Sequence, residues 1–398
     1  MSPHALKTAT PGRAPSGGPR FSISRRTRAF RRALFPEAGD RDWNDWRWQL
    51  RHSLRGHEAL ERVLDLSDDE RSALQRNRNS LPNSITPYYA SLLDRSDASH
   101  PLRRTMVMAT QEFERTPEES IDPLSEDADS PVPGLVHRYP DRVLFLVTGT
   151  CPVYCRYCTR SRMVGSQDGD YEFSTGQWER AIDYIAGTPV IRDVLLSGGD
   201  PLVLSDDRLE WLLSRLRRIR HVEFLRIGSK VPVVLPQRVT PALTRMLKRY
   251  HPLWMSLHFI HPDELTTEVE EACARLANAG IPLGSQTPLL AGINDSVDVC
   301  RRLFHGLLRC RVKPYYLYQA DLVVGTSHFR TAVSKGLEII EALRGHTTGY
   351  AVPTFAIDVP DGGGKIAILP DSQLPRDGHH VLLRNYEGRV FRFPDPER

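Results

Sequence analysis

Long apolar runs are missing from this sequence of 398 residues. No stretch approaches the ~20 apolar residues that a membrane-spanning helix needs, and no apolar segment of a secretory signal follows the amino terminus. A large charge of one sign is missing too, because 53 Lys and Arg residues face 49 Asp and Glu residues, for a formal net charge of +4. This balance argues against nucleic acid or a membrane surface as a partner. The composition therefore predicts a soluble protein of the cytoplasm.

Cysteine is scarce as well, and the six cysteines are unevenly placed. Three of them, Cys151, Cys155 and Cys158, lie in one short stretch, whereas the other three are scattered. In a reducing cytoplasm, clustered cysteines are more often metal ligands than disulfide partners. The scattered cysteines fall on helical patterns and are predicted to be core residues, namely Cys273, Cys300 and Cys310.

Four regions differ in composition and periodicity. Residues 1–20, rich in Pro, Gly, Ser and Ala, are predicted to be a disordered tail. Residues 21–135 predict an N-terminal helical region, with an aromatic helix at 42–50 and a Pro- and acid-rich linker that wraps over the next domain. Residues 136–345 predict a barrel-type domain, and residues 346–398 a C-terminal segment with short strands and Gly-rich turns.

The central region alternates short apolar runs with longer amphipathic ones. Strands are predicted at 143–148, 194–197, 222–227, 254–259, 282–290 and 312–318. Helices are predicted at 175–186, 206–217, 241–250, 262–279, 296–309 and 334–344. Six βα units in series predict an α/β fold with a parallel sheet, either a partial (βα)6 TIM-type barrel or a doubly wound sheet. Both architectures place function at the carboxyl ends of the strands.

The clustered cysteines follow the first predicted strand, in Gly149-Thr-Cys151-Pro-Val-Tyr-Cys155-Arg-Tyr-Cys158. Thiolates are the soft ligands that iron–sulfur clusters use. A cube of four irons needs four ligands, so three cysteines leave one iron free for a small chelating ligand. A structural zinc ion would need a fourth Cys or His nearby, and none lies close in the sequence. The loop therefore favours an iron–sulfur cluster over a zinc knuckle.

The CxxxCxxC spacing after the first strand of a βα series resembles the signature of the radical S-adenosylmethionine superfamily. This resemblance implies a 4Fe–4S cluster on the three cysteines, whose open iron binds S-adenosylmethionine. It also implies an external electron donor of flavodoxin or ferredoxin type and a 5′-deoxyadenosyl radical. The end of the second strand resembles the loop that lies beside the methionine amine in this superfamily, with Gly198, Gly199 and Asp200.

A longer resemblance, from about Asp42 to Lys365, is to the lysine 2,3-aminomutase family. Matching stretches include Asp42-Trp-Asn-Asp-Trp-Arg-Trp-Gln, His137-Arg-Tyr-Pro-Asp-Arg142 and Pro232-Val-Val-Leu-Pro-Gln-Arg238. The resemblance implies a partial barrel, a homo-oligomer, and an isomerase that moves an amino group from C2 to C3 of an amino acid. It also implies pyridoxal 5′-phosphate (PLP), which can carry nitrogen and delocalise an unpaired electron.

The same resemblance assigns residues to PLP. Lys365, after Asp361 and three glycines, resembles the lysine that forms the Schiff base with PLP. Arg138, Tyr139 and Arg142 resemble the residues at the PLP phosphate, where two arginines can fork onto one anion.

The substrate residues follow from the resemblance as well. Arg160 resembles the residue that pairs with the substrate carboxylate, and Asp321 and Asp358 resemble the acids that bind the distal ammonium of lysine. The family usually has glycine where this chain has Asp361, and a third carboxylate makes arginine a candidate beside lysine. The family's Cys-rich zinc tail is missing, and Ser296 replaces its internal zinc cysteine, so no structural zinc is expected.

Two alternatives to a free amino acid 2,3-aminomutase stay open. One is a radical enzyme of the same superfamily that acts on a lysine side chain of a protein. The other is a cluster- or zinc-binding regulatory protein without catalysis. The pathway also stays open, with antibiotic biosynthesis among the possibilities.

Overall fold

The computed structural model describes residues 21–77, 81–165, 173–360, 362–371, 373–377 and 380–394. The predicted tail, residues 1–20, and the predicted substrate residue Asp361 lie outside the described residues. Within the described ranges, no helix is both long and apolar enough to cross a membrane.

The N-terminal region consists of short helices, as predicted. They are α1 (Arg25–Leu34), α2 (Asp40–Trp43), α3 (Trp46–Arg51), α4 (Gly56–Glu61), α5 (Asp68–Arg76), α6 (Pro87–Ala90) and α7 (Pro101–Arg104). Two short strands, β1 (Leu54–Arg55) and β2 (Ser84–Ile85), pair antiparallel among them. This helical layer contacts the central domain: Thr86 donates to the Val234 carbonyl (2.6 Å) and the Tyr89 hydroxyl donates to Glu264 (2.8 Å).

The single aromatic helix predicted at 42–50 is wrong, because the stretch forms the end of α2 and most of α3. The side chain of Asp45 accepts a hydrogen bond from the Arg47 backbone (3.0 Å) and caps the second helix. The break still lets both aromatic rings turn inward, since the Trp43 and Trp48 rings lie 5.7 Å apart and both are buried.

One nine-stranded sheet forms the centre of the molecule. Its strands are β3 (Leu135–Tyr139), β4 (Arg142–Thr148), β5 (Asp193–Gly198), β6 (Phe224–Ser229), β7 (Leu253–His258), β8 (Leu283–Leu289), β9 (Lys313–Gln319), β10 (Thr354–Val359) and β11 (Gly364–Ala367). Their spatial order follows the chain order without a reversal, and the sheet is nearly closed into a barrel. A doubly wound sheet would reverse its order, so the partial barrel is confirmed.

Seven of these strands, β4 to β10, are parallel, and β3 and β11 are antiparallel at the two edges. The six predicted strands correspond to β4–β9, each within two residues at either end. The sheet continues past residue 345 through β10 and β11, so Lys365 lies on an edge strand of the barrel. Beyond them, β12 (Gln373–Asp377), β13 (His380–Arg384) and β14 (Val390–Pro394) form a separate antiparallel sheet.

Helices cover the outside of the barrel. They are α8 (Thr175–Ala186), α9 (Asp206–Arg217), α10 (Val231–Val234), α11 (Pro241–Leu247), α12 (Thr267–Asn278), α13 (Val297–Arg309) and α14 (Val333–Leu343). The helix predicted at 262–279 begins instead at Thr267, because the Thr266 side chain caps it, and residues 262–264 form a separate 3-10 turn. The three scattered cysteines are buried, as predicted: Cys273 lies on α12, Cys300 on α13, and Cys310 directly after α13 as its C-cap.

Side chains along each strand point alternately into the core and into the interior of the barrel. On β5, Val194 and Leu196 are fully buried in the core, while Leu195 and Ser197 line the interior of the barrel. Residues at the carboxyl ends of the strands therefore meet around one cavity.

Candidate active site

A cavity of about 980 Å³ lies inside the barrel. The cysteine loop after β4 lines one side of it, and β9, β10 and β11 line the other. Every described residue that the sequence predicted for the site lines this cavity: Arg138, Tyr139, Arg142, Cys151, Cys155, Cys158, Arg160, Gly198, Gly199, Asp200, Asp321, Asp358 and Lys365.

The three cysteines are half-buried at one end of the cavity. Burial raises the pKa of all three thiols, and raises that of Cys158 to about 11. Within the ranges that the structure describes, no three His, Cys, Asp or Glu side chains are arranged to hold a single metal ion. Three soft thiols that line the end of a large cavity suit a 4Fe–4S cluster, which these cysteines would hold.

Arg156, between the second and third cysteines, fastens this loop to the N-terminal region. Its Nε lies 3.0 Å from both carboxylate oxygens of Glu112, and its Nη1 donates to the Leu81 carbonyl (2.9 Å). Its backbone N–H donates to the Thr105 carbonyl (2.9 Å). The arginine side chain is 1% exposed, so the ion pair is shielded from water. The helical layer therefore fixes the shape of the ligand loop.

The glycines after β5 allow close packing on the same loop. Gly198 has φ +115°, and a Cβ there would lie 2.3 Å from the Thr148 carbonyl oxygen. A Cβ on Gly199 would lie 2.4 Å from the Thr150 carbonyl oxygen. Only glycine fits at both positions, and the close approach is to the backbone of the cysteine loop.

Asp200 is buried behind these glycines. Its carboxylate accepts hydrogen bonds from Ser229 Oγ (2.8 Å) and from the backbone N–H groups of Lys230 (2.7 Å) and Val231 (2.9 Å). Burial raises the pKa of Asp200, and these hydrogen bonds oppose the rise. The side chain therefore ties β5 to the loop after β6.

Lys365 lies at the opposite end of the cavity. Its Nζ is 3.0 Å from Asp358 Oδ1 and 5.2 Å from the centre of the Tyr318 ring, and its backbone N–H donates to the Tyr139 hydroxyl (2.8 Å). Lys365 and Asp358 are register partners on β11 and β10. Gly364 has φ +72°, and a Cβ there would lie 2.9 Å from the same Tyr139 hydroxyl. Glycine is therefore required beside the lysine.

The Tyr318 hydroxyl is buried in this wall and has no hydrogen-bond partner among the described residues. An unpaired buried hydroxyl is costly unless a ligand or water satisfies it. Together with the neighbouring amine of Lys365, it fits a site that binds a polar cofactor.

Asp321 brings a second carboxylate to this end. Thr159, which follows the last cysteine, donates its hydroxyl hydrogen bond to Asp321 Oδ2 (2.7 Å). Burial raises the pKa of Asp321 to about 6, and the charge of Asp358 adds to the rise. Two neighbouring carboxylates, one of them poorly solvated, form a site for a cation.

The predicted phosphate arginines line the same cavity as Lys365 but have protein partners. Arg138 donates to Asp129 Oδ2 (2.6 Å) and to the Leu124 carbonyl. Arg142 stacks on the Tyr139 ring, with its Cζ 3.9 Å from the ring centre, and pairs with Asp141 (2.9 Å).

Arg160 is also paired within the protein. Its Nη2 lies 2.6 Å from Glu126 Oε1, and its Nε contacts both oxygens of the same carboxylate. Burial opposes the charge of Glu126, but Arg160 and Arg162 outweigh it and lower the pKa of this carboxyl.

Comparison with known proteins agrees with this geometry. Residues 145–303 match the Radical SAM superfamily, and residues 340–398 match the family described as Lysine-2,3-aminomutase. The L-lysine 2,3-aminomutase of Fusobacterium nucleatum is 53% identical over 367 residues, which cover 92% of this chain and 86% of the relative. That of Bacillus subtilis is 51% identical over 364 residues, which cover 92% and 77%. The chain belongs to the lysine 2,3-aminomutase family.

The family also includes a relative of another specificity. The glutamate 2,3-aminomutase of Clostridioides difficile is 42% identical over 356 residues, which cover 89% of this chain and 84% of that protein. Membership makes the chain a radical S-adenosylmethionine enzyme and an isomerase, as predicted. The cofactors of the family are a 4Fe–4S cluster, S-adenosylmethionine and PLP.

Sequence reasoning missed several residues that shape the site of this family member. Glu112 and Arg156 hold the cysteine loop, and Glu126 and Asp129 pair with two cavity arginines. The position of Arg156 inside the cysteine motif was the one available signal. Glu112 and Glu126 lie outside every motif, so no local pattern singles them out, whereas Asp129 begins a stretch, Asp129-Ser-Pro-Val-Pro-Gly-Leu, that resembles the family.

Proposed function

We propose that this chain is a PLP-dependent 2,3-aminomutase that converts a free basic L-α-amino acid, L-lysine or L-arginine, to its β-amino acid. One observation carries the proposal: the cysteine loop, Lys365 and the two acids Asp321 and Asp358 line a single cavity. The names of the relatives support L-lysine as the first substrate to test.

The acids support a cationic substrate. A buried carboxylate whose pKa is raised is stabilised by a cation and destabilised by another anion. The carboxylate of Asp358 pairs with the Lys365 ammonium in the structure (3.0 Å). We infer that the distal cation of the substrate replaces Lys365 at Asp358 when the lysine is engaged elsewhere. A substrate with a distal carboxylate would face repulsion from both acids.

The cofactors supply the radical chemistry. When bound, they provide a carbon radical that abstracts hydrogen and a conjugated ring that delocalises an unpaired electron. The three cysteines would hold the cluster, and Gly198, Gly199 and Asp200 lie beside it for S-adenosylmethionine, as the resemblance implies. The remaining work of the chain is to bind, orient and exclude water.

At the PLP end, Lys365 would bind the cofactor covalently. Arg138, Tyr139 and Arg142 would lie at its phosphate, and Arg160 would pair with the substrate carboxylate. Each of these side chains lines the same cavity, which supports the assignment. Two arginines and a tyrosine hydroxyl suit a phosphate.

We propose further that the enzyme works in the cytoplasm, assembles as a homo-oligomer, and receives its electron from an external donor of flavodoxin or ferredoxin type. Its six cysteines are free thiols, which supports a reducing compartment.

The test is an anaerobic assay of the reconstituted enzyme with dithionite and S-adenosylmethionine. L-lysine, L-arginine and L-glutamate are compared, and products are separated by mass spectrometry. We expect β-lysine or β-arginine, no β-glutamate, and 5′-deoxyadenosine that depends on reductant. The proposal would be overturned if the enzyme converted neither L-lysine nor L-arginine.

A further inference from the structure

An acidic strap runs between the loop after β9 and strand β3. We define the strap as residues 119–129. At its start, Glu119 pairs with Arg330 of the loop after β9 (3.1 Å). At its end, Asp129 forms an ion pair with Arg138 on β3 (2.6 Å). Between these anchors, Glu126 lies against the cysteine loop and lines the cavity. The strap is thus fastened on both sides of the cavity, and it carries Glu126 into the site.

Glu126 and Arg160 form a forked ion pair. The Glu126 side chain is 5% exposed, and its two oxygens accept bonds from Nε (3.0 and 3.1 Å) and Nη2 (2.6 Å) of Arg160. A forked contact fixes the plane of the guanidinium group. It leaves Nη1, whose contact is a long one to Ser197 Oγ (3.4 Å) on the cavity wall. One edge of Arg160 is therefore held, and the other is available to a ligand.

Around Arg160, the described carboxylates outnumber the described guanidinium groups. Arg162 lies beside it and pairs with Asp122 (3.2 Å), Glu126 (3.4 Å) and Asp127 (3.2 Å). Among the described residues, two guanidinium groups therefore meet at least three carboxylates. We expect the binding of a further carboxylate to depend on the direction of the Nη1 hydrogens of Arg160.

We propose that Glu126 is a positioning residue that holds Arg160 so that Nη1 faces the α-carboxylate of the substrate. This inference rests on the proposed function, since it requires a free α-amino acid in the cavity. It makes Glu126 a determinant of specificity for free amino acids over compounds whose carboxyl group is an amide.

The structure also defines the opposite outcome. If Glu126 occupied the place of the substrate carboxylate, substrate would have to displace it. Removing its charge would then tighten substrate binding, whereas a positioning role makes the same change weaken it. The direction of the effect separates the two roles.

The test compares Glu126→Gln with Asp127→Asn in the reconstituted holoenzyme. Asp127 belongs to the same strap and pairs with Arg162, so it is a matched control. Calorimetry without S-adenosylmethionine gives the dissociation constant of the amino acid that the wild type prefers and of its carboxamide. Steady-state assays give KM and kcat. Iron content and thermal unfolding show whether each variant is folded and loaded.

We expect Glu126→Gln to raise Kd and KM for the amino acid about tenfold, with kcat within about twofold, because one oriented, charge-assisted hydrogen bond is lost. The carboxamide should bind wild type and variant equally, and Asp127→Asn should match the wild type. Adding Glu126→Gln to Arg160→Lys should cause no further loss, since the two residues act as one unit. If Glu126→Gln alone lowers the stability of the protein, the comparison of the double variant with Arg160→Lys still shows whether Glu126 acts through Arg160.

Three results would overturn the proposal. They are tighter binding by Glu126→Gln, an equal loss for acid and carboxamide, and a fall in kcat with unchanged KM. Each of them leaves the proposed function standing if the wild type turns over its amino acid. A wild type that binds neither L-lysine nor L-arginine would overturn both.

Discussion

The two ends of the cavity are built in different ways. At the cysteine end, Cys151, Cys155 and Cys158 come from one loop. At the lysine end, Asp321, Asp358 and Lys365 come from the loop after β9 and from strands β10 and β11. A ligand set within one loop forms a motif that the sequence displays, whereas a set spread over three segments exists only after the sheet has formed.

The two ends also differ in what holds them. The cysteine loop is tied to the N-terminal region through the buried Arg156–Glu112 pair. The lysine end is held by strand register, which places Lys365 opposite Asp358. One hydrogen bond, from Thr159 to Asp321 (2.7 Å), joins the two ends, but each end keeps its own anchors. A change in the ligands at one end should therefore leave ligand binding at the other end intact. The following predictions test that separation.

Cys155→Ser should have the largest effect. We expect turnover to fall about 10⁴-fold or more, because the cluster loses a thiolate ligand. Iron and sulfide content should drop, while PLP absorbance should remain. Cys310→Ser is the control, since this buried cysteine lies outside the loop and should keep full iron. Loss of bound PLP in Cys155→Ser would contradict the separation of the two ends.

Lys365→Ala should come next, with turnover lowered about 10³-fold, because the covalent attachment of PLP is lost. The protein should keep its iron, and borohydride should no longer fix PLP to it. Lys335→Ala removes an exposed lysine that pairs with Glu338 (2.6 Å) and should behave as the wild type. Borohydride labelling of the Lys365→Ala protein would show that another lysine serves PLP.

Asp321→Asn should raise KM for the basic amino acid about 100-fold, because a poorly solvated carboxylate facing a cation is lost. The iron content and the PLP absorbance should be unchanged. Asp298→Asn is the control, since that side chain is 85% exposed and pairs only with its neighbour along the helix, Arg301. An unchanged KM would remove Asp321 from the substrate site.

Glu112→Gln tests the tether of the cysteine end. The substitution leaves the Arg156 guanidinium buried without its counter-charge. We expect the free energy of unfolding to fall by about 3 kcal/mol, as measured with denaturant, and the cluster to lose iron faster in air. Glu338→Gln breaks an exposed pair and should cost less than about 0.5 kcal/mol. If both variants lost the same free energy of unfolding, the buried Arg156–Glu112 pair would not be what holds the loop.

The smallest effect concerns pH at the lysine end. Burial raises the pKa of Asp321 to about 6, so this carboxyl takes up a proton as the pH falls through that value. The protonated form cannot attract a cation, so KM should rise about fourfold between pH 7.5 and pH 5.5. Asp321→Asn should abolish this dependence. A rise of equal size in that variant would assign the titration to another group.

Much of the fold could be predicted from local pattern. The helices at 175–186 and 206–217 agree at both ends with α8 and α9, because serine caps at Ser174 and Ser205 mark their starts. The prediction of one continuous aromatic helix is wrong because Asp45 caps a second helix within the stretch. The barrel was predicted to end at residue 345, because Gly-rich turns follow that point. The structure instead continues the βα series through α14 to a seventh parallel strand, β10.

The sequence by itself determined the local chemistry: three soft ligands in one loop, glycines where no side chain fits, and a lysine after a glycine run. Tertiary structure alone decided which charges meet. Glu126 reaches Arg160 across 34 residues, and Glu112 reaches Arg156 across 44. Short-range motifs are fixed by covalent spacing, whereas ion pairs of this kind depend on where the strap and the helical layer pack on the barrel.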